Sequence, residues 1–412
     1  MAGAANRPAP RIAAGQKAAE YLDTDPAVGA FFDRTGKPER VALDTEGASF
    51  HRFVDRIYLI QISTPRDHAI IDPLPVAAPS QLGAWIQDPS VEVVFHDADY
   101  DLRLFAQDYG WKARNVFDTR VAAQLLGVNA FGLAALLESH FGVKLNKKHQ
   151  RADWSMRPLT DDMLDYAAQD TMHLLALRDR MADALRKKER WSWAREEFDR
   201  LEGIRWSDED AAFAFLRIKG ARDLTRRELA VFRELVQWRD SVAKEIDKAT
   251  FRVVGNEVLL EASKAPPADR AALLRIKGMP RGIGERRGGE MLDAIRRGLA
   301  VPESELPRFP KAKRWARDPD FDAKVAAIKS VRDAAAKRLE LDPGVLCSRD
   351  RMEAVARLLP RAVEELSAVE GLRRWQIAEL GSGFVKALRG YKPVGQGGEK
   401  DAASDDSPYL SQ

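Results

Sequence analysis

Val41-Ala42-Leu43-Asp44-Thr45-Glu46 is the stretch from which the first half of the chain is read. Three apolar residues in a row read as a buried strand, and Asp44 and Glu46 at its end stand at i and i+2, so their carboxylates share a face. Downstream, His96-Asp97-Ala98-Asp99-Tyr100-Asp101 offers three more aspartates. Residues 160–181 have helical periodicity and carry Tyr166 and Asp170 at i and i+4, on one helix face. Carboxylate oxygens are hard ligands that suit Mg²⁺ or Mn²⁺. Two such ions about 3.5–4 Å apart can stabilise the attacking and the leaving oxygen of an in-line displacement at phosphorus. The pattern points to a nuclease.

The strands expected around these motifs are 40–43, 57–63, 68–71, 91–95 and 115–117. The expected helices are 79–87, 98–109, 119–126, 133–140 and 160–181. Three strands in succession followed by alternating helix and strand predict a mixed sheet flanked by helices, an α/β domain. Thr160 is placed to cap the last helix, with Asp161 and Asp162 in its first turn and Leu159 and Leu164 as a hydrophobic staple. Beyond residue 205 the strand pattern fades and helices dominate. There the chain repeats itself with an offset of 93 positions. Trp238-Arg239-Asp240 matches Val331-Arg332-Asp333, Ala243-Lys244 matches Ala336-Lys337, and Ile276-Lys277-Gly278-Met279 matches Val369-Glu370-Gly371-Leu372.

The net charge of +3 over 412 residues hides an asymmetry. Residues 41–118 hold 12 Asp/Glu against 6 Lys/Arg, a local −6, and residues 264–317 hold 14 Lys/Arg against 6 Asp/Glu, a local +8. An acidic site and a separate basic region suit a protein that needs cations to approach a polyphosphate and a surface to hold it. The one cysteine, Cys347, excludes an internal disulfide, and with six scattered histidines it argues against structural zinc. No apolar run has the length of a membrane span or a signal peptide, so a cytoplasmic location without a membrane partner is expected.

The order Asp-x-Glu, Asp, Tyr-x-x-x-Asp resembles the DEDD exonucleases with tyrosine in the third motif. Ile60-Gln61-Ile62-Ser63 leading into Ile70-Ile71-Asp72-Pro73-Leu74, then Val116-Phe117-Asp118-Thr119, then the run from Arg151 to Leu159 narrow the likeness. Together, over roughly residues 20–391, they resemble ribonuclease D. Residues 44–53 also resemble the related exonuclease of the eukaryotic nuclear exosome, but two helical repeats favour the bacterial family. The resemblance implies a ribonuclease-H-like exonuclease domain at 20–205, then two small all-α domains of the HRDC type at 210–300 and 320–391. A flexible N-terminus (1–19), a linker (301–319) and a disordered tail (392–412) complete the expected organisation. It further implies a 3′–5′ exoribonuclease that uses two divalent ions, Mg²⁺ or Mn²⁺, and no small-molecule cofactor. It would release nucleoside 5′-monophosphates from RNA with a free 3′ end, transfer RNA precursors first.

In that scheme Asp44 bridges both metals, and Glu46 binds the metal that holds the nucleophilic water. Asp170 is a ligand of the first metal, and Tyr166 orients the attacking water. In the second motif the residues alone leave Asp97 and Asp101 open, since both can share a helix face; the family pattern fits Asp101, near the second metal. Gly47 departs from the family, where an aromatic is common, and Phe50 or Phe53 is the expected replacement. His96 reads as a satisfied strand-end histidine, Asp118 as a helix cap and Trp375 as core. Arg151 and Arg157 are candidate phosphate contacts; Arg281, Arg286 and Arg287 are candidates in the basic block. The glycine-rich run Gly278–Gly284 reads equally as a phosphate cradle or a tight interhelical turn. Two other functions use the same features: a DNA-directed exonuclease, since nothing in the carboxylates senses a 2′-hydroxyl, and a non-catalytic RNA-binding scaffold, which would be expected to have lost an acid.

Overall fold

The computed structural model describes residues 19–146, 148–206, 211–310 and 317–393. The expected N-terminal segment and tail lie, apart from residues 19 and 392–393, outside the described residues. A six-stranded sheet is built from β1 (Glu20–Leu22), β2 (Arg40–Glu46), β3 (Leu59–Ser63), β4 (His68–Ile71), β5 (Glu92–Phe95) and β6 (Val116–Asp118), in the order β1-β4-β3-β2-β5-β6. β2 is antiparallel to β3 and parallel to β5, so the sheet is mixed, as the residue pattern predicts. β1 has no counterpart among the expected strands; it joins the edge in parallel with β4 and leads into α1 (Asp25–Thr35). Three residues carry too short a pattern to read until a partner strand is supplied.

The helices of this part are α2 (Ser80–Gln87), α3 (Asp99–Tyr109), α4 (Thr119–Leu125), α5 (Leu133–Phe141), α6 (Asp161–Met172), α7 (Leu174–Lys187) and α8 (Trp191–Leu201). Val41, Leu43, Ile60, Ile62 and Val93 point into one apolar cluster with residues of α1, α2 and α3. Leu59 and Ile70 point to the opposite face, where Ala167 and Ala168 of α6 cover them. The single helix expected over 160–181 is two helices, because the chain breaks at His173. Thr160 caps α6 through its hydroxyl, which accepts from the Met163 amide.

The chain divides into two compact units. The first joins the sheet domain to α9 (Arg226–Glu245), α10 (Thr250–Val253), α11 (Asn256–Lys264), α12 (Arg270–Arg275) and α13 (Arg281–Ala300). A capping box at Thr225 and Glu228 starts α9, which packs along α13. At Gly298 a Cβ would come within 2.4 Å of Val231 Cα, so only glycine permits that approach. Residues 301–310, read as linker, are fastened to α9: Arg226 donates to the carbonyls of Glu303 and Leu306, and Arg227 to that of Val301. Among the described residues the second unit contains 124–129, 189–196 and 317–393, with α14 (Phe321–Leu339), α15 (Pro343–Leu346), α16 (Arg349–Leu358) and α17 (Arg374–Leu388). In it Trp375 is buried and stacks on Trp193 at 4.7 Å. The 93-residue repeat is visible in the backbone: Gly278 and Gly371 both have positive φ, at 86° and 77°.

Candidate active site

Asp44 and Glu46 lie on the face of β2 that α6 covers. The register places Asp44 opposite Gln61, Glu46 opposite Leu59 and Ala42 opposite Ser63. The Ser63 hydroxyl meets that of Thr171 at 2.8 Å and so holds α6 on this face. Asp170, one residue earlier on the helix, is thereby brought over β2. One carboxylate oxygen from each of Asp44, Glu46 and Asp170 lies within 4.8 Å of the others. Asp101 lies outside that trio; it is buried on α3 and accepts from the Thr45 hydroxyl at 2.5 Å. Asp97 is turned away, with a φ of 71° and a carboxylate paired to Arg120.

These four carboxyls all sit above the usual carboxylate range. Burial is the first cause for each. For Asp44 the next is repulsion from Asp170; for Glu46 it is Asp44, Asp170 and Asp101; for Asp101 it is Asp44. Asp170 is pushed up to about 7 by burial and by Asp101. Hydrogen bonds from Thr45 offset part of this rise for Asp44 and Asp101. Crowded carboxylates, none of them ion-paired to a lysine or arginine among the described residues, form a donor set suited to hard cations. Burial and the same acids also raise the Tyr166 hydroxyl, so it stays a neutral phenol. Its ring is held between Trp154 at 6.0 Å and His149 at 5.9 Å.

In the sequence Gln61 stands out only within the run Ile60–Ser63. It is fully buried, and neither end of its amide has a partner among the described residues. Directly paired strand residues share a face, so this amide stands beside Asp44. Cross-strand register is the signal that finds it, and no single segment contains that information.

The neighbouring residues have structural work. Asp118 caps α4 by accepting from the amides of Arg120 and Val121, and it also accepts from those of Asp97 and Ala98. His96 meets Thr119 at 2.9 Å, and burial, then Arg120, lowers it to about 4, so it remains neutral. Arg157, a candidate phosphate contact, spends its donors inside the fold: on both oxygens of Asp72 and on the carbonyls of Trp154, Met156 and Tyr58. Burial would raise Asp72, but hydrogen bonds from Arg157, Tyr21 and the Leu74 amide outweigh it and hold it low. Arg157→Ala should therefore cost about 3–5 kcal/mol in urea unfolding at neutral pH, the usual loss when one partner of a buried pair is removed. A depressed folded carboxyl adds stability above its unfolded pKa and loses it as the pH falls through the folded one. The wild-type advantage over the variant should therefore shrink in acid.

In the helical part, Arg287 is paired with Glu245 and Glu290, whereas Arg281 and Arg286 are exposed. A Cβ on Gly284 would meet Leu274 at 2.5 Å, so that glycine is explained by packing.

Comparison with known proteins agrees with this arrangement. The sequence model of a 3′-5′ exonuclease family matches residues 20–186, and that of the HRDC domain matches residues 228–295 and 322–388. Ribonuclease D of Granulibacter bethesdensis is 30% identical over 337 residues, 81% of this chain and 84% of that protein. Ribonuclease D of Gluconacetobacter diazotrophicus is 31% identical over 351 residues, 83% of this chain and 88% of that one. The chain belongs to the ribonuclease D family. The crystal structure of Escherichia coli RNase D, described as an exoribonuclease involved in structured RNA processing, superposes with a TM-score of 0.71. It shares 25% identity, over 91% of this chain and 100% of that one. The catalytic core of RRP6 from Trypanosoma brucei gives 0.63 at 27% identity, over 71% of this chain and 83% of that one. This ribonuclease D-family chain is a 3′–5′ exoribonuclease, with an exonuclease domain on a mixed six-stranded sheet followed by helical HRDC domains. The scaffold reading falls with that assignment. Among the described residues no helix is long and apolar enough to cross a membrane.

Proposed function

We propose that this enzyme trims the 3′ ends of structured RNA precursors in the cytoplasm, transfer RNA precursors first, and releases nucleoside 5′-monophosphates. The observation that carries the mechanism is the trio of Asp44, Glu46 and Asp170 oxygens within 4.8 Å, with Tyr166 one helical turn before Asp170. The trio fits divalent cations. Its oxygens are hard donors, its charges repel one another, and the orphaned Gln61 amide beside Asp44 is placed to hold that carboxylate in a fixed orientation.

Two ions, Mg²⁺ or Mn²⁺, would supply a hydroxide nucleophile and neutralise the charge that develops on phosphorus. Asp44, Glu46 and Asp170 would hold them, and Asp101, buried on α3, would support that set. Tyr166, a neutral phenol facing three acids, would hydrogen-bond the attacking water and keep its lone pair on the phosphorus.

The test is digestion of a 5′-labelled transfer RNA precursor with a 3′ trailer, beside a matched DNA strand. Stepwise shortening of the RNA with nucleoside 5′-monophosphates as products supports the proposal. Equal digestion of the DNA, or oligonucleotide products, would overturn its substrate or its product. Gln61→Leu should lower Mn²⁺ affinity by about 10–100-fold in calorimetry, the usual cost of losing a partner of a metal ligand. The same change removes an unsatisfied buried amide, so metal-free thermal stability should hold or rise. Unaltered Mn²⁺ affinity would remove Gln61 from the site.

A further inference from the structure

The loop between β2 and β3 is clasped from two sides. From the helical part, the Ala249 amide donates to the His51 carbonyl at 3.2 Å, and Arg252 donates to that of Phe50. Asp247 accepts from the Phe53 amide and from Arg52, each at 3.3 Å. Phe53 itself packs against the core of the helical part. From the sheet domain, the segment that leads into α6 meets the loop where the Arg151 carbonyl lies 3.1 Å from the His51 ring.

Phe50 is left at the surface by this clasp, 52% exposed, and so is Phe251 of α10, 55% exposed. Their rings stand edge to face, with centroids 6.4 Å apart and planes at 76°. The Arg151 guanidinium sits over Phe50 at 5.8 Å. Single exposed aromatics are common and mean little. Two side by side, from segments 201 residues apart in sequence and flanked by Arg151 and Arg252, leave apolar ring faces in water beside positive charge. That combination matches single-stranded nucleic acid, whose bases stack on aromatic faces while arginines meet the phosphates. Position agrees. Phe50 follows Glu46 by four residues, a reach of at most about 14 Å. Arg151 belongs to the same segment as Trp154, whose ring packs on Tyr166.

We propose that Phe50 and Phe251 form a stacking platform for the bases a few nucleotides upstream of the scissile bond, with Arg151 and Arg252 on the adjoining phosphates. The sheet domain and the first helical repeat thus share one RNA subsite. The platform reads no base identity, since every base has a stacking face. A Cβ at Gly47 would lie 2.2 Å from the Tyr100 hydroxyl, so a larger side chain there would have to displace that tyrosine. The proposal rests on the reading of the substrate as a single-stranded 3′ RNA end.

The test uses the full chain with Ca²⁺ in place of Mg²⁺, so that the acids are neutralised while the strand stays intact, with a ten-nucleotide oligoadenylate carrying 2-aminopurine at successive positions. Emission should be quenched at one position upstream of the 3′ end, and Phe50→Ala and Phe251→Ala should each abolish that quenching. Each should weaken binding by about 5–150-fold, the range for losing one stacked base. Phe251→Trp should restore both signals and Phe251→Leu neither. In Mg²⁺, KM should rise more than kcat falls. Binding by Phe251→Leu equal to wild type would make the ring mere apolar packing and overturn the platform. Unaltered affinity in folded Phe50→Ala and Phe251→Ala would also overturn it, and would leave the rings to a protein partner. A wild-type chain that binds no oligoadenylate would instead sink the substrate reading beneath it.

Discussion

Asp44→Asn, Glu46→Gln and Asp170→Asn should each lower kcat by about 10³–10⁵-fold, because each removes charge and a ligand from one shared cluster. The estimate follows from the several kcal/mol that metal neutralisation contributes to such a transition state, at 1.36 kcal/mol per tenfold. Asp101→Asn should also be severe, through its position behind Thr45. Asp97→Asn should be mild, since that carboxylate is half exposed and pairs with Arg120. Stability should move the other way. In the metal-free wild type the crowded carboxylates repel one another, so each neutral variant should unfold at a higher temperature in EDTA. Added Mn²⁺ should raise the wild-type transition in proportion to its binding and leave that of Asp44→Asn nearly unmoved. Full activity in Asp44→Asn, or an unchanged transition on adding Mn²⁺ to the wild type, would remove the cluster from the chemistry.

Tyr166→Phe should reduce kcat by roughly 10²–10⁴-fold, the range for a positioned proton donor or acceptor, with RNA affinity little altered. The ring is packed between Trp154 and His149, so the phenyl group should keep its place and the variant should fold. What is lost is one hydroxyl facing Asp170, Glu46 and Asp44. Single-turnover rates at saturating RNA separate this from a binding defect. Wild-type turnover in the variant would return Tyr166 to a packing role.

The sequence by itself determined the elements that local chemistry specifies. The apolar run before Asp44 makes β2, Thr160 and the acids after it start α6, and the i, i+4 spacing places Tyr166 and Asp170 on one face. The 93-residue repeat was legible because Gly278 and Gly371 each need a left-handed backbone at the same place in their copies. Between Asp97 and Asp101 the residues alone left the choice open, and only the resemblance favoured Asp101. Tertiary structure alone decided what lies opposite what. Gln61 stands beside Asp44 only because β3 pairs with β2 in that register. Asp170 reaches the cluster because α6 packs on that face, through Ala167 and Ala168 over Leu59 and Ile70 and through Ser63 and Thr171. The break at His173 escaped the sequence because apolar spacing runs through it without interruption. Arg157 looked available until the fold brought Asp72 and three carbonyls around its guanidinium. Phe50 and Phe251, 201 residues apart, became neighbours when the first helical repeat clasped the β2–β3 loop. Periodicity and capping act over a few residues and are written in neighbouring letters. Register, shared burial and charge repulsion arise between segments, so they exist only once the chain has brought those segments together.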